Sequence, residues 1–287
     1  MKGLLRRVWR IISAPFRWTN KQFSTLSDFF TEEPEDSPLP DVFAKTMEEP
    51  QGLLFHINAL RKHLFRAILV LILTTALSFI FIQELLAWLT QPIGGLDSLQ
   101  AIEVTEPLGV AMRTALLAGF AVALPYTVFE LWLFAAPGLR RRARIWGLIA
   151  IPMATLFFIG GMAFAYYVML PAALPFLLNF LGIDTAVRPA SYIRFTTGLM
   201  FWIGIAFQFP LVIFALAGMG LVRAKTLGRH WRIAVVIIAV ISAAITPTID
   251  PVNMGLVMGP MILLYFLSIG LAYLAQGKQP PEESPSP

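Results

Sequence analysis

The chain has 287 residues, of which 57% are hydrophobic and only 14% charged, with a mean hydropathy of +0.72 and a net charge of +5. A soluble domain carries roughly 25% charged residues, so most of this chain is not built to face water. It has no cysteine, which excludes disulfides and cysteine-ligated metal or iron–sulfur centres; its basic residues lie beside apolar segments rather than along one soluble face, which argues against nucleic acid as a partner.

Residues 1–30 are basic and amphipathic, with Leu5, Val8, Trp9 and Ile12 on one helical face and Arg6, Arg7 and Arg10 beside it. This pattern predicts a helix lying on an anionic lipid surface. Arg6-Arg7 is not read as part of a cleaved signal, because Pro15, Arg17 and Lys21 interrupt the apolar stretch that such a signal requires. Residues 31–51 are acidic and proline-rich and are expected to form a disordered linker.

Six apolar segments follow, at about 64–82, 108–136, 145–170, 195–220, 233–246 and 252–275, and residues 276–287 form a polar tail expected to be disordered. Crossing a bilayer takes roughly 20 helical residues. The fifth segment offers about 14, or roughly 21 Å, and Pro260 interrupts the sixth, so the last two spans are expected to be short. Leu85, Leu86, Trp88 and Leu89 extend segment one as an interfacial helix, and apolar residues 172–181 are expected to cap the same side. Pro125, Pro137, Pro152, Pro171, Pro210 and Pro260 lie inside or at the ends of spans. They are expected to kink the helices, either for packing alone or to shape a concave bundle with a groove.

Lys and Arg orient such a bundle. Arg140, Arg141, Arg142 and Arg144 follow segment two, and Arg223, Lys225, Arg229 and Arg232 follow segment four. The loops at 89–107 and 246–251 have no Lys or Arg, and the loop at 171–194 has only Arg188 and Arg194. The expected fold is therefore all-α, with six transmembrane helices and both termini in the cytoplasm.

No P-loop, Gly-x-Ser-x-Gly or His-Glu-x-x-His motif occurs, and His56, His63 and His230 have no metal-ligand spacing. No catalytic residue, metal or cofactor is expected, and the chain is not read as an enzyme. Ionisable and amide groups within spans point to function by default. Glu130 lies in the last turns of segment two. Arg113 lies in its first turns, where it can anchor at the interface or pair with Glu106 or Glu103. Gln208 lies mid-span in segment four, where its amide can bond across helices. Asp250 precedes Pro251 in the outer turn between the last two spans and suits a structural turn. Gly160 and Gly161 suit close helix approach.

Several motifs recur in one order: H-I-N-A-L-R-K-H-L at 56–64, V-T-E-P at 104–107, P-Y-T-V-F-E-L-W-L-F-A-A-P-G-L at 125–139, F-F-I-G-G-M-A-F-A-Y-Y-V-M-L-P-A at 157–172, A-S-Y-I-R-F at 190–195, F-Q-F-P at 207–210 and I-T-P-T-I-D-P-V-N-M at 245–254. In these, the chain from about 53 to 275 resembles TatC, the C subunit of the twin-arginine protein translocase. The resemblance implies a receptor in the cell inner membrane that binds twin-arginine signal peptides. It implies export of folded precursor proteins driven by the proton-motive force, with no ATP. Single-span TatA- and TatB-type partners are implied at spans five and six, in a hetero-complex holding more than one copy of the chain.

The family motif positions carried over are Leu60, Arg61, Phe134, Pro137, Pro92 and Asp250. The family's two arginine-binding glutamates fall at Ala59, directly before Leu60-Arg61, and at Ala143, six residues after Pro137; a polar, often acidic position in span four is Gln208. Alanine cannot make the charge-assisted bonds that hold a guanidinium. Three readings follow. The chain is a receptor whose carboxylates come from elsewhere, such as Glu130, Glu48 or Glu49; or a paralogous scaffold of the same complex that does not read twin arginines; or a deliberately altered variant. A proton-coupled solute transporter is the remaining alternative class, disfavoured by the absence of an internal repeat.

Overall fold

In hydrocarbon every backbone N–H and C=O must be bonded within the protein, so a chain this apolar folds as helices or as a closed barrel. Here the choice is helices. A computed structural model describes residues 50–136, 141–178, 186–218, 220–245 and 251–276, with the backbone alone described at 50–56, 141–146 and 252–253. The expected surface helix at 1–30, the linker up to residue 49 and the tail after Gln276 lie outside the described residues.

Helix α1 (Pro50–Ser78) runs through a 3-10 turn at Phe79–Phe81 into α2 (Ile82–Thr90). The expected extension of the first span is thus present, and Gly94, with φ +93°, ends it in a conformation that glycine adopts without steric cost. Helix α3 (Glu106–Ala135) starts with Pro107 in its first turn, where the missing N–H costs nothing. Helix α4 (Arg141–Phe164) continues through a π-helical turn at Ala165–Met169 into α5 (Leu170–Leu178). The π turn bonds the Leu170 N–H back to the Ala165 carbonyl, immediately before Pro171, which has no N–H to give. Helix α6 (Pro189–Ala206) breaks at 207–208, and α7 (Phe209–Gly218) completes the fourth span. Pro210 cannot donate to the carbonyl of Ala206 four residues earlier, which accounts for the break. Pro125, Pro152 and Pro260 lie inside helices that run on unbroken.

After the short α8 (Ala224–Arg229), α9 (Trp231–Ile245) is the short span, with 15 residues, while α10 (Pro251–Gln276) has 26. The shortness expected of the final pair therefore rests on α9 alone. Pro260 did not shorten α10, because a proline's lost bond bends a helix without ending it when its neighbours hold it. Among the described residues five helical runs are long and apolar enough to cross a membrane, and α9 is a shorter apolar sixth.

Helix α1 packs chiefly on α3, α3 on α4 and α6, α4 on α6, α7 on α10, and α9 on α10. Among the described residues α1 and α10 make no principal contact with each other. Glycine sets two of the closest approaches. A Cβ on Gly119 of α3 would lie 2.6 Å from the Thr75 Cα of α1, and the Thr74 hydroxyl donates to the Gly119 carbonyl at 2.9 Å. A Cβ on Gly161 of α4 would lie 2.9 Å from the Gly204 Cα of α6, while Gly160 faces open space. The core lies where α2, α3, the π turn and α6 meet, around Leu89, Leu117, Met169, Ile193 and Met200. There Tyr166 and Tyr192 donate to the carbonyls of Trp88 (2.5 Å) and Leu89 (2.7 Å). These carbonyls belong to the last turn of α2, where regular helical bonding ends; the Trp88 carbonyl also accepts from the Gln91 N–H.

Candidate functional site

Helical spacing prepares a polar cluster on two facing helices. On α1, His63 and Arg66 are three residues apart and share a face; on α3, Tyr126 and Glu130 are four apart and do the same. Packing α1 on α3 brings them together. The His63 Nδ1 lies 2.6 Å from Glu130 Oε2, and the Tyr126 hydroxyl donates to Glu130 Oε1 at 2.6 Å. Glu130 thus meets a polar partner at each oxygen, and the Arg66 Nη2 also stands 3.3 Å from the His63 Nδ1. The Arg66 Nη2 stands 3.5 Å from Glu130 Oε2 with its side chain half exposed, and its Nε–H bonds to the Lys62 carbonyl at 3.4 Å. The edge of the His63 ring meets Phe134 with centroids 6.1 Å apart.

Glu130 is thus a buried carboxylate, 2% exposed, with two short hydrogen bonds and one loose cation beside it. Burial of an ionisable group is tolerated only with such partners. Leu60 and Arg61 are exposed and Ala59 is half-buried, within about one turn before His63 on the same helix. Four of the sequence-derived positions, Leu60, Arg61, Glu130 and Phe134, therefore gather where the start of the first span meets the end of the second. Pro137, the Ala143 side chain and Asp250 lie outside the described residues. Gln208 is elsewhere: it sits at the break between α6 and α7, and its Nε2–H donates across to the Ala154 carbonyl of α4 at 2.9 Å. This is the cross-helix bond expected of an amide at mid-span.

The other end of α3 holds a second charged group. Glu106 is bonded by Arg188, through Nε at 2.8 Å and through Nη2, and Arg188 Nη2 also reaches Glu103 at 3.0 Å. The Glu106 carboxylate, and after it Glu103, hold the Arg188 guanidinium above its ordinary pKa. Arg113, for which pairing here was one of two alternatives beside an interfacial anchor, is exposed and makes no ion pair among the described residues. It sits seven residues along α3 from Glu106, about 10 Å at 1.5 Å per residue, whereas Arg188 arrives beside it at the start of α6.

Sequence reasoning did not single out His63, Arg66, Tyr126 or Arg188 as partners. The spacings His63-x-x-Arg66 and Tyr126-x-x-x-Glu130 were readable signals for two shared faces. The pairing of those faces was not readable, because it depends on which two helices touch.

Together the fold and these clusters define a polytopic helical membrane protein with a polar site at the junction of its first two spans. Residues 55–260 match the family model of the Sec-independent protein translocase protein TatC. TatC of Koribacter versatilis is 39% identical over 61% of this chain and 65% of its own, and TatC of Synechocystis sp. is 32% identical over 82% and 93%. A crystal structure of the twin-arginine translocase receptor TatC superposes with a TM-score of 0.68 at 31% identity, covering 77% of this chain and all of that one. The chain belongs to the TatC family, a membrane component of twin-arginine protein translocation.

Proposed function

We propose that this chain is the receptor subunit of its translocase and holds the twin-arginine signal of folded precursor proteins where α1 meets α3. The observation that supports this is the position of Glu130: a buried carboxylate on the face shared with His63 and Phe134, near Leu60 and Arg61. Its third partner is loosely held. An ion pair at 3.5 Å with a half-exposed Arg66 is worth about 0–1 kcal/mol, so a guanidinium from a precursor can take Arg66's place at little cost. In this reading Glu130 supplies part of the negative charge that Ala59 and Ala143 do not.

The same reading places both termini in the cytoplasm and the chain in the inner membrane, with the α1–α3 junction on the cytoplasmic side. TatA- and TatB-type single-span subunits dock at α9 and α10, other copies of the chain complete the complex, and the proton-motive force drives export. The scaffold reading is favoured by one observation, the engagement of both Glu130 oxygens within the chain.

Photocrosslinkers near Arg61 and Phe134 should capture a twin-arginine precursor, with capture lost when its two arginines become lysines. Glu130→Gln should weaken precursor binding, and Ala143→Glu should strengthen it. Absence of a crosslink together with indifference to the arginine pair would overturn the receptor reading and leave the scaffold.

A further inference from the structure

Arg61, Lys62, Phe65 and Arg66 line a surface depression on α1. Arg61 and Phe65 are four residues apart, as are Lys62 and Arg66, so the four side chains form two neighbouring ridges of one helical face. Arg61 and Lys62 are exposed and make no ion pair with any described residue. The third cation, Arg66, has only long contacts: 3.5 Å to Glu130, 3.3 Å from Nη2 to the His63 Nδ1 and 3.4 Å from Nε to the Lys62 carbonyl. Three cations therefore line the depression, and the carboxylate that Arg66 reaches, Glu130, is itself buried and bonded to His63 and Tyr126.

Depth along the helix identifies what such a site meets. Between and past these cations α1 is apolar and outward-facing: Leu64 and Phe65, just before Arg66, and Ile68, Leu69 and Ile72 beyond it are exposed large hydrophobics, with Phe65 at 66%. Arg61, Lys62 and Arg66 fall within the first ten residues of the 37-residue apolar run Ile57–Ile93, at its end, which puts the cations at headgroup level and Ile68, Leu69 and Ile72 at the level of the acyl chains. A free anion uses only the first half, and a peptide rich in arginine is opposed by the like charge of the three cations. A phospholipid has a phosphate for the first and a chain for the second, and basic pockets at this depth suit anionic headgroups.

We propose that this depression is a binding site for an anionic phospholipid, its phosphate held by Arg61, Lys62 and Arg66 and one acyl chain lying along Phe65, Ile68 and Leu69. The site does not depend on the receptor reading, and its test contains no precursor. The full chain, purified in detergent and stripped of lipid, is offered phosphatidylglycerol and phosphatidylcholine in equal amounts, and bound lipid is counted by native mass spectrometry. Phosphatidylglycerol should be retained preferentially. Arg61→Gln with Lys62→Gln should lower its retention by about thirtyfold, given the usual contribution of two membrane-level cations. The charge-preserving pair Arg61→Lys with Lys62→Arg should keep most of the preference and so separates charge from folding. Removing Lys225 and Arg229, a basic pair after span four, should leave it unchanged. Equal retention of the two lipids, an equal loss in the Lys225 and Arg229 variant, or displacement of the lipid by millimolar inorganic phosphate would each overturn the assignment.

Discussion

The α1–α3 cluster lends itself to a double-mutant cycle that ranks its members. The cycle combines His63→Ala, Glu130→Ala and the double variant, with a parallel one using Arg66→Ala. The loss of the Tyr126 hydrogen bond occurs in every variant lacking Glu130, so it subtracts out of both couplings. The His63–Glu130 contact is short, at 2.6 Å, and almost closed to solvent on the glutamate side. A hydrogen bond to a charged group contributes about 1.5–3 kcal/mol in soluble proteins, while interhelical bonds within membranes reach about 1.7 kcal/mol at most. The coupling should therefore fall at about 1–2 kcal/mol. The Arg66–Glu130 contact is 3.5 Å long and half exposed on the arginine side, so its coupling should stay below about 1 kcal/mol. Reversible unfolding in mixed micelles, titrated with a denaturing detergent, reads both. An Arg66 coupling larger than that of His63, or a His63 coupling near zero, would refute the view that the histidine holds the carboxylate and the arginine is replaceable.

Two further outcomes test the packing. Gly119→Leu should destabilise the chain by about 1–3 kcal/mol or more, because its side chain meets the Thr75 backbone and not a movable side-chain end. Gly160→Leu, built into open space one residue before Gly161, should be near neutral in the same unfolding assay. Gln208→Leu removes one cross-helix bond to a carbonyl that lies inside α4, so it should cost about 0.6 kcal/mol and no more than about 1.7; a larger loss would show that Gln208 does more than bridge the two helices.

The spans were legible because length and hydropathy are local properties. Residues 108–136 already read as one span, and α3 covers Glu106–Ala135. Proline was a poorer guide, since its lost hydrogen bond is equally visible at Pro125, Pro210 and Pro260 yet the helix opens only before Pro210. What differs is the support from neighbours, which no single segment encodes. The same limit applies to charge. Glu130 stood out because a carboxylate in a span must be compensated. Its partner His63 is 67 residues away on α1 and looked like one more polar residue before a membrane segment. Arg188 was likewise hidden, because Arg113 lies on the same helix as Glu106 and was the nearer candidate in sequence, though not in space.

Ala59 and Ala143 frame the chemical question at the α1–α3 junction, and net charge narrows the answer. A peptide carrying two guanidinium groups meets exposed Arg61, Lys62 and Arg66 before it meets Glu130, which is 2% exposed. At 4 Å in water each like-charge contact opposes approach by about 1 kcal/mol, and by more where solvent is partly excluded. One buried carboxylate does not offset three such cations. A lipid phosphate at the same three side chains, as proposed above, would add a second negative charge: with Glu130 it offsets two of the three cations, and by drawing on Arg66 it leaves the second oxygen of Glu130 less crowded. The receptor reading and the lipid site then make a joint demand that neither makes alone. Precursor binding should be stronger in membranes rich in phosphatidylglycerol than in phosphatidylcholine, and that difference should shrink when Arg61 and Lys62 are neutralised, because the rim no longer needs the lipid.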